Sequence, residues 1–297
     1  MPLFSKGHPD KGLVHLQRGE LAKAEAHFRQ SLAKHQEISE RLGQAHDLGH
    51  LGLVYASRGE LDKAKEHHQK ALAIHQELGN RLGEATQLGN LGLVCLQRGE
   101  PGEAEEFFKQ ALNIAANIDD RLGQANQLGN LGLVCAEGGE LDKAEEHYKR
   151  ALTIHQEARD RLGEAKQLGN LGSVYFLRGD WAQAEKHYKR ALAIDRKLGR
   201  RLGQARSIGN LGLVYHRQGD LKKAEEYHKK ALSLHQEIGD LLGQARQLAS
   251  LGLLAEENRQ AEKALELLTR AKALYEQAGA RGRGPEEVRR ALDHLAA

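Results

Sequence analysis

The residues of this sequence that could do chemistry are chiefly its histidines, and most of them recur at a fixed spacing. Sixteen histidines are present, and His67, His147 and His187 occupy one position of a forty-residue period. His46 and His50 are four residues apart, which is the spacing at which one helix face offers two ligands to a metal ion. No third ligand accompanies them, so we predict no metal site and expect the periodic histidines to be architectural.

Motifs for catalysis are missing from the sequence. It contains no nucleophile elbow, no phosphate-binding loop and no paired carboxylates that set one repeat apart from its siblings. The glycines of the recurring phrase LGNLG lie inside a helical period with no strand before them, which excludes a phosphate-binding turn. We therefore predict that the protein is not an enzyme and needs no cofactor.

The cysteines and the charge balance narrow the class of protein further. Cys95 and Cys135 occupy equivalent positions, where other repeats have tyrosine, and are expected to be small buried hydrophobes in a reducing compartment. A net charge of +3 is too small to indicate nucleic acid or an anionic membrane as a partner. No apolar run of about 18 residues and no leader-like segment is found, so a cytoplasmic protein is expected.

The elements that position these side chains repeat every forty residues. Each copy contains two stretches whose apolar residues follow helical spacing, with glycines between them. Such a period predicts an all-α fold, an α-solenoid in which each helix pair buries its apolar face against its neighbours. We predict one domain over 1–297, made of a partial repeat at 11–40, full repeats at 41–80, 81–120, 121–160, 161–200, 201–240 and 241–280, and a capping helix at 285–297.

The residues of one repeat match a known pattern. The sequence resembles the tetratricopeptide repeat, written L-x2-L-G-x2-Y and A-x3-aromatic-x2-A, and long-repeat members such as LGN/Pins, kinesin light chain and the bacterial Rap-type peptide sensors. It departs from the family in its forty-residue period and in lacking the usual proline after the second helix. The matching residues are Leu168, Leu171, Gly172, Tyr175, Ala184, Tyr188 and Ala191.

The resemblance implies a right-handed superhelix whose concave wall, built from the first helices, binds an extended or helical peptide. In LGN and kinesin light chain the asparagines of the equivalent phrase bond the backbone of that peptide. His50 and Ser250 replace the asparagine in the outermost repeats of this sequence. The matching asparagines are Asn90, Asn130, Asn170 and Asn210.

Helical spacing by itself points to the same face. Thr86, Asn90, Leu93 and Gln97 are spaced to share one side of a helix. A carboxamide both donates and accepts, so it can bond any peptide backbone, and the recurring leucine would supply an apolar floor. Basic residues in the later repeats favour an acidic segment there. The predicted peptide-binding residues are Asn90, Asn130, Asn170, Asn210, Leu93, Leu133, Leu213, Lys166, Arg206, Arg217 and Arg246.

Two classes of function stay open from the sequence. The first is a protein-interaction adaptor that binds a protein or peptide, an acidic one among the alternatives, with no nucleic acid or membrane as partner and with a monomer favoured. The second is a structural or self-assembling repeat protein, or a designed or consensus scaffold, whose asparagines recur through duplication alone. For the adaptor, Gly92 should let the second helix pack closely, and Gly89 should keep the face open to a peptide backbone.

Overall fold

The computed structural model describes residues 10–280 and 282–296, and within these ranges every regular element is an α-helix. The prediction of an all-α fold built from regular helix pairs is confirmed. The chain divides into two compact units, the first ending at Ile154 and the second beginning at His155. No helix of the described residues is both long and apolar enough to cross a membrane.

In each pair the odd-numbered helix comes first and the even-numbered helix second. The first unit contains α1 (Lys11–Gln17), α2 (Leu21–Glu37), α3 (Arg41–Ser57), α4 (Leu61–Glu77), α5 (Arg81–Arg98), α6 (Pro101–Asn117) and α7 (Arg121–Glu137). The point of division falls within α8 (Leu141–Glu157). The second unit continues with α9 (Arg161–Leu177), α10 (Trp181–Lys197), α11 (Arg201–Arg217), α12 (Leu221–Glu237), α13 (Leu241–Glu257), α14 (Ala261–Gln277) and α15 (Arg283–Ala296).

Local sequence signals set the ends of these helices. The Asn80 side chain accepts a hydrogen bond from the Gly83 N–H at 3.0 Å and so caps α5. Gly99 ends the same helix with a φ of 76°, a backbone conformation that other residues rarely adopt. At the far end of the chain, α15 packs on the core of the second unit through Val288. The last residue of the predicted capping helix, Ala297, lies outside the described residues.

The core of a helix pair depends on a first-helix glycine that faces a large second-helix side chain. A Cβ atom at Gly92 would lie 2.5 Å from the Phe108 ring, and one at Gly172 would lie 2.7 Å from the Tyr188 ring. Both distances are too short for carbon atoms that are not bonded. The prediction that Gly92 allows close packing of the second helix is therefore confirmed.

The first glycine of LGNLG, which is Gly89 in α5, lies against a side chain of the next repeat. The interpretation of Gly89 as an opening for a ligand was therefore wrong. A Cβ atom at Gly89 would lie 2.9 Å from the carboxamide of Gln127, which belongs to the next first helix. Gly169 is the informative exception, because Ser207 holds the position of that glutamine and an added Cβ would meet nothing within 4 Å.

Two histidines of the second helices lie in the core, at a position where other repeats have phenylalanine or tyrosine. His68 is 0% exposed and His228 is 1% exposed. Each donates from Nδ1 to a glutamine Oε1, over 2.9 Å to Gln87 and 2.8 Å to Gln247. The Nε2 atom of each ring is buried without a hydrogen-bond partner. Burial lowers the pKa of both rings to about 4, so both are neutral near pH 7.

The two glycines of α9 should respond to alanine in opposite directions. We expect Gly169→Ala to raise the free energy of unfolding by about 0.5–1 kcal/mol, because alanine favours a helix and the new methyl group has room. Gly172→Ala should lower it by about 1–3 kcal/mol through overpacking against Tyr188. Urea unfolding monitored by circular dichroism measures both. Equal effects of the two substitutions would show that the contact with Tyr188 does not determine the response at Gly172.

The buried histidines should make the protein less stable as the pH falls. Each has a folded pKa of about 4, below the 6.5 of an exposed histidine, so the unfolded chain binds more protons between these values. The stability they contribute is complete above pH 6.5 and is lost as the pH falls toward 4, by about 2 kcal/mol each at pH 5. The double variant His68→Phe/His228→Phe should therefore show a smaller loss of melting temperature between pH 7 and pH 5. An unchanged loss would contradict this account.

Candidate functional site

The predicted binding residues lie on an exposed stripe of the first helices. In α5 this stripe consists of Leu82, Thr86, Asn90, Leu93 and Gln97, and we call it, with its equivalents in the other first helices, the first-helix face. Asn90 is half-buried and its neighbours on the stripe are exposed. The predicted leucines are open to solvent, with 39% of Leu93 exposed. Similar exposure, 36–37%, is found at Leu133, Leu213 and Leu253.

A second row of leucines on this face was not predicted. Leu82 is 56% exposed and lies eleven residues before Leu93, a separation of about three helical turns that places both on one side. The row lies in the triplet RLG at the start of these first helices. The eleven-residue spacing between Leu82 and Leu93 is the sequence feature from which this row could have been predicted. The other members are Leu42, Leu122, Leu162 and Leu202, each 37–41% exposed.

Helix α9 interrupts the predicted leucine row. Ser173 takes the place of the leucine, and its Oγ accepts a hydrogen bond from the Tyr188 hydroxyl at 3.0 Å. This bond turns the polar group of Ser173 toward the second helix. Leu177, four residues later, is 61% exposed and keeps the face of α9 apolar.

The first-helix face of the second unit is basic. Lys166, Arg206, Arg217 and Arg246 are exposed and form no hydrogen bond or ion pair with another described residue. Cations on the second helices differ, since Lys229, for example, pairs with Glu225 at 3.0 Å. In the first unit the positions equivalent to Lys166, Arg206 and Arg246 are His46, Thr86 and Asn126.

The four predicted asparagines fall into two groups. Asn130 donates from Nδ2 to Gln127 Oε1 at 3.1 Å, and Asn170 donates likewise to Gln167 at 3.4 Å. Asn90 and Asn210 have no hydrogen-bond partner for their carboxamides among the described residues. The repeats therefore present different polar groups, which the shared phrase LGN does not reveal.

One cluster of metal-ligating residue types lies where α5 meets α6. Ligand atoms of Cys95, Glu100 and Glu103 lie within 4.8 Å of one another, the one such group of three in the described residues. The Lys65 ammonium already occupies this cluster, 2.7 Å from Glu103. Burial raises the pKa of the Cys95 thiol to about 11, so the thiol is a protonated core group. Cys135 is half-buried.

The predicted histidine pair is divided between two environments. His46 is exposed, whereas the His50 ring lies against Phe28 with 4.6 Å between ring centroids. His50 Nδ1 is buried without a hydrogen-bond partner, and burial lowers the pKa of this ring. The ring of His50 therefore serves as a packing surface for α2.

Solved structures of similar fold include two Rap proteins and BtubC. RapI in its apo form is 18% identical over 96% of this chain and 97% of its own, with a TM-score of 0.70. A Rap protein complexed with Competence and Sporulation Factor is 15% identical over 96% and 95%, with a TM-score of 0.66. BtubC (BKLC) from P. vanneervenii is 23% identical over 74% and 92%, with a TM-score of 0.63. These likenesses concern the fold.

Sequence comparison identifies the family of the repeats. No curated protein matches the chain. The family model described as the tetratricopeptide repeat matches five stretches that together span most of the sequence, at residues 9–77, 47–117, 123–197, 164–237 and 203–277. The regular helix pairs agree with this match, and the chain belongs to the tetratricopeptide repeat family, whose fold is in general a scaffold for protein interactions.

Proposed function

We propose that this protein is an adaptor that binds a segment of another protein on its first-helix face, and that the second unit takes an acidic part of that segment. The observation that carries the proposal is the set of unpaired cations among exposed leucines on α9, α11 and α13. Leucines and cations lie together there on one face of each helix, whereas second-helix cations such as Lys189 and Lys229 form ion pairs.

The leucines supply the affinity. In α5, α7 and α11 two leucines of the face remain more than a third exposed, for example Leu202 and Leu213 of α11. Burial of apolar surface stabilises a complex by about 25 cal/mol per Å² before the costs of association. Contiguous exposed apolar patches on soluble proteins commonly mark interaction sites.

The cations supply the preference for carboxylates. Arg206 and Arg246 occupy the same position of neighbouring first helices, and each has a free guanidinium group. Guanidinium binds a carboxylate through two parallel hydrogen bonds, which are stronger than those between neutral groups. An acidic segment would gain these bonds without breaking ion pairs within the protein.

The first unit is suited to a less charged segment. Its face offers the same leucine rows with His46, Thr86 and Asn126 in place of the cations. The fold of the Rap protein that is complexed with Competence and Sporulation Factor supports a ligand-binding role for helix pairs of this type.

Charge reversal on the first-helix face should abolish acidic binding. Random peptides displayed on phage and selected on the wild-type protein should be enriched in aspartate, glutamate and leucine. We expect the triple variant Lys166→Glu/Arg206→Glu/Arg246→Glu to bind the selected peptides at least about tenfold more weakly, because three attractive contacts become repulsive. Fluorescence anisotropy with labelled synthetic peptides measures the affinities.

A matched control separates local contacts from net charge. The variant Lys186→Glu/Arg190→Glu/Lys222→Glu makes the same change of charge at exposed positions of the second helices α10 and α12. This variant should bind like the wild type at about 0.15 M salt, where distant charges are screened. Equal weakening by both variants, or none by the first, would contradict the proposed site.

A further inference from the structure

We infer that His68 is a positioning residue that keeps the Asn90 carboxamide available to a ligand, and that the second-helix side chain at this position decides which asparagines are available. This inference rests on the proposed function, since it says which asparagine side chains of the first-helix face can form hydrogen bonds with a bound segment. It assigns a role to a buried histidine that is not itself part of the first-helix face.

The first observation is the hydrogen bond between the histidine and a buried glutamine. His68 on α4 donates from Nδ1 to Gln87 Oε1 at 2.9 Å. Gln87 is 6% exposed, so water has little access to its carbonyl oxygen. Because the histidine satisfies this buried acceptor, the acceptor does not require another donor. Asn90, three residues after Gln87, accordingly has no hydrogen-bond partner among the described residues.

The next helix pair provides the contrast. Phe108 occupies in α6 the position of His68 in α4, and its ring has no donor. Gln127 is 9% exposed and lies where Gln87 lies in the preceding repeat. Its Oε1 accepts instead from Asn130 Nδ2 at 3.1 Å. The buried acceptor thus recruits the asparagine of its own helix when the second helix offers no donor.

The second unit repeats the histidine–glutamine bond at one position, where Ser250 replaces the asparagine, and lacks the glutamine at another. His228 repeats the histidine–glutamine bond with Gln247 at 2.8 Å. Ser207 replaces the glutamine in α11, so no buried carboxamide acceptor lies three residues before Asn210. Asn210 has no hydrogen-bond partner among the residues described. Removal of the acceptor therefore has the same effect as supplying it with a histidine.

The consequence for a ligand is a difference between asparagines that look equivalent in the sequence. The Asn90 carboxamide can offer two donors and an acceptor to a peptide backbone. Asn130 has one donor engaged, and turning it toward a ligand would leave the Gln127 acceptor buried and unsatisfied. Asn90 should therefore contribute to binding, whereas Asn130 should contribute mainly to stability.

The first test requires no ligand. Side-chain amide resonances of Asn90 and Asn130 are followed by NMR in the full chain, with His68→Phe copying Phe108 and Phe108→His copying His68. Hydrogen exchange of the Asn90 amide should slow by roughly fivefold in His68→Phe, and that of Asn130 should quicken by a similar factor in Phe108→His, as expected for one hydrogen bond gained or lost. An Asn90 amide that is unaffected in a folded His68→Phe variant would overturn the inference.

A third variant keeps the test decisive if a core substitution unfolds the protein. Gln127→Ser copies Ser207 and removes the acceptor without altering the second helix. The Asn130 amide should then exchange as fast as that of Asn90. Slow exchange of Asn130 in this variant would overturn the inference, whatever the state of the histidine variants.

The second test uses a peptide selected on the wild-type protein and measures Asn90→Ala in two backgrounds. We expect this substitution to weaken binding by roughly fivefold to tenfold in the wild type and to have little effect in His68→Phe, where the amide is already engaged. The same loss in both backgrounds would contradict a positioning role for His68. Failure to select any peptide would count against the proposed function, while the exchange measurements would still judge the hydrogen-bond rule.

Discussion

The close approach of two helix backbones at one glycine per repeat is the constraint on which the rest of the structure depends. The ring of Phe108 or Tyr188 lies where a β-carbon of the first helix would otherwise be. A glycine inside a helix costs about 1 kcal/mol relative to alanine, and the contact with the ring offsets that cost. Because this contact sets the rotation of the first helix, it also determines which residues face outward. Leu82 and Leu93 are exposed for that reason.

A second, polar constraint connects consecutive repeats. The glutamine of one first helix lies against the glycine of the preceding first helix, as Gln127 does at Gly89. The buried carbonyl oxygen of this glutamine needs a hydrogen-bond donor. The donor is either a histidine of a second helix, as for Gln87, or the asparagine three residues later on the same helix, as for Gln127. Packing between repeats and the polar character of the exposed face are therefore coupled through one side chain.

The sequence was sufficient to predict the helices, their pairing and the family, because the forty-residue period multiplies each weak local signal. It also located the exposed stripe, since helical spacing places Asn90 and Leu93 on one side. The leucine row of Leu82 was missed because these leucines lie in the first turn of each first helix, before the recurring phrase LGNLG. The role of Gly89 was misread because the side chain that fills its space belongs to the next repeat, beyond the reach of local spacing.

The difference between Asn90 and Asn130 could not be predicted for a related reason. It depends on side chains from three helices, and only the structure shows that Phe108 or His68 lies beside the glutamine. The charges were easier to predict, because an exposed cation needs no partner to be recognised. What the structure adds is that Lys166, Arg206 and Arg246 are unpaired, whereas many cations of the second helices are not.

The most direct test of the central claim is a methyl NMR titration of leucine-labelled protein with a selected acidic peptide. If the first-helix face of the second unit binds the peptide, resonances of Leu162, Leu202, Leu213 and Leu253 should shift and saturate together, while those of the buried Leu211 and Leu268 change little. Shifts confined to the second helices, or spread evenly over exposed and buried leucines, would contradict the account.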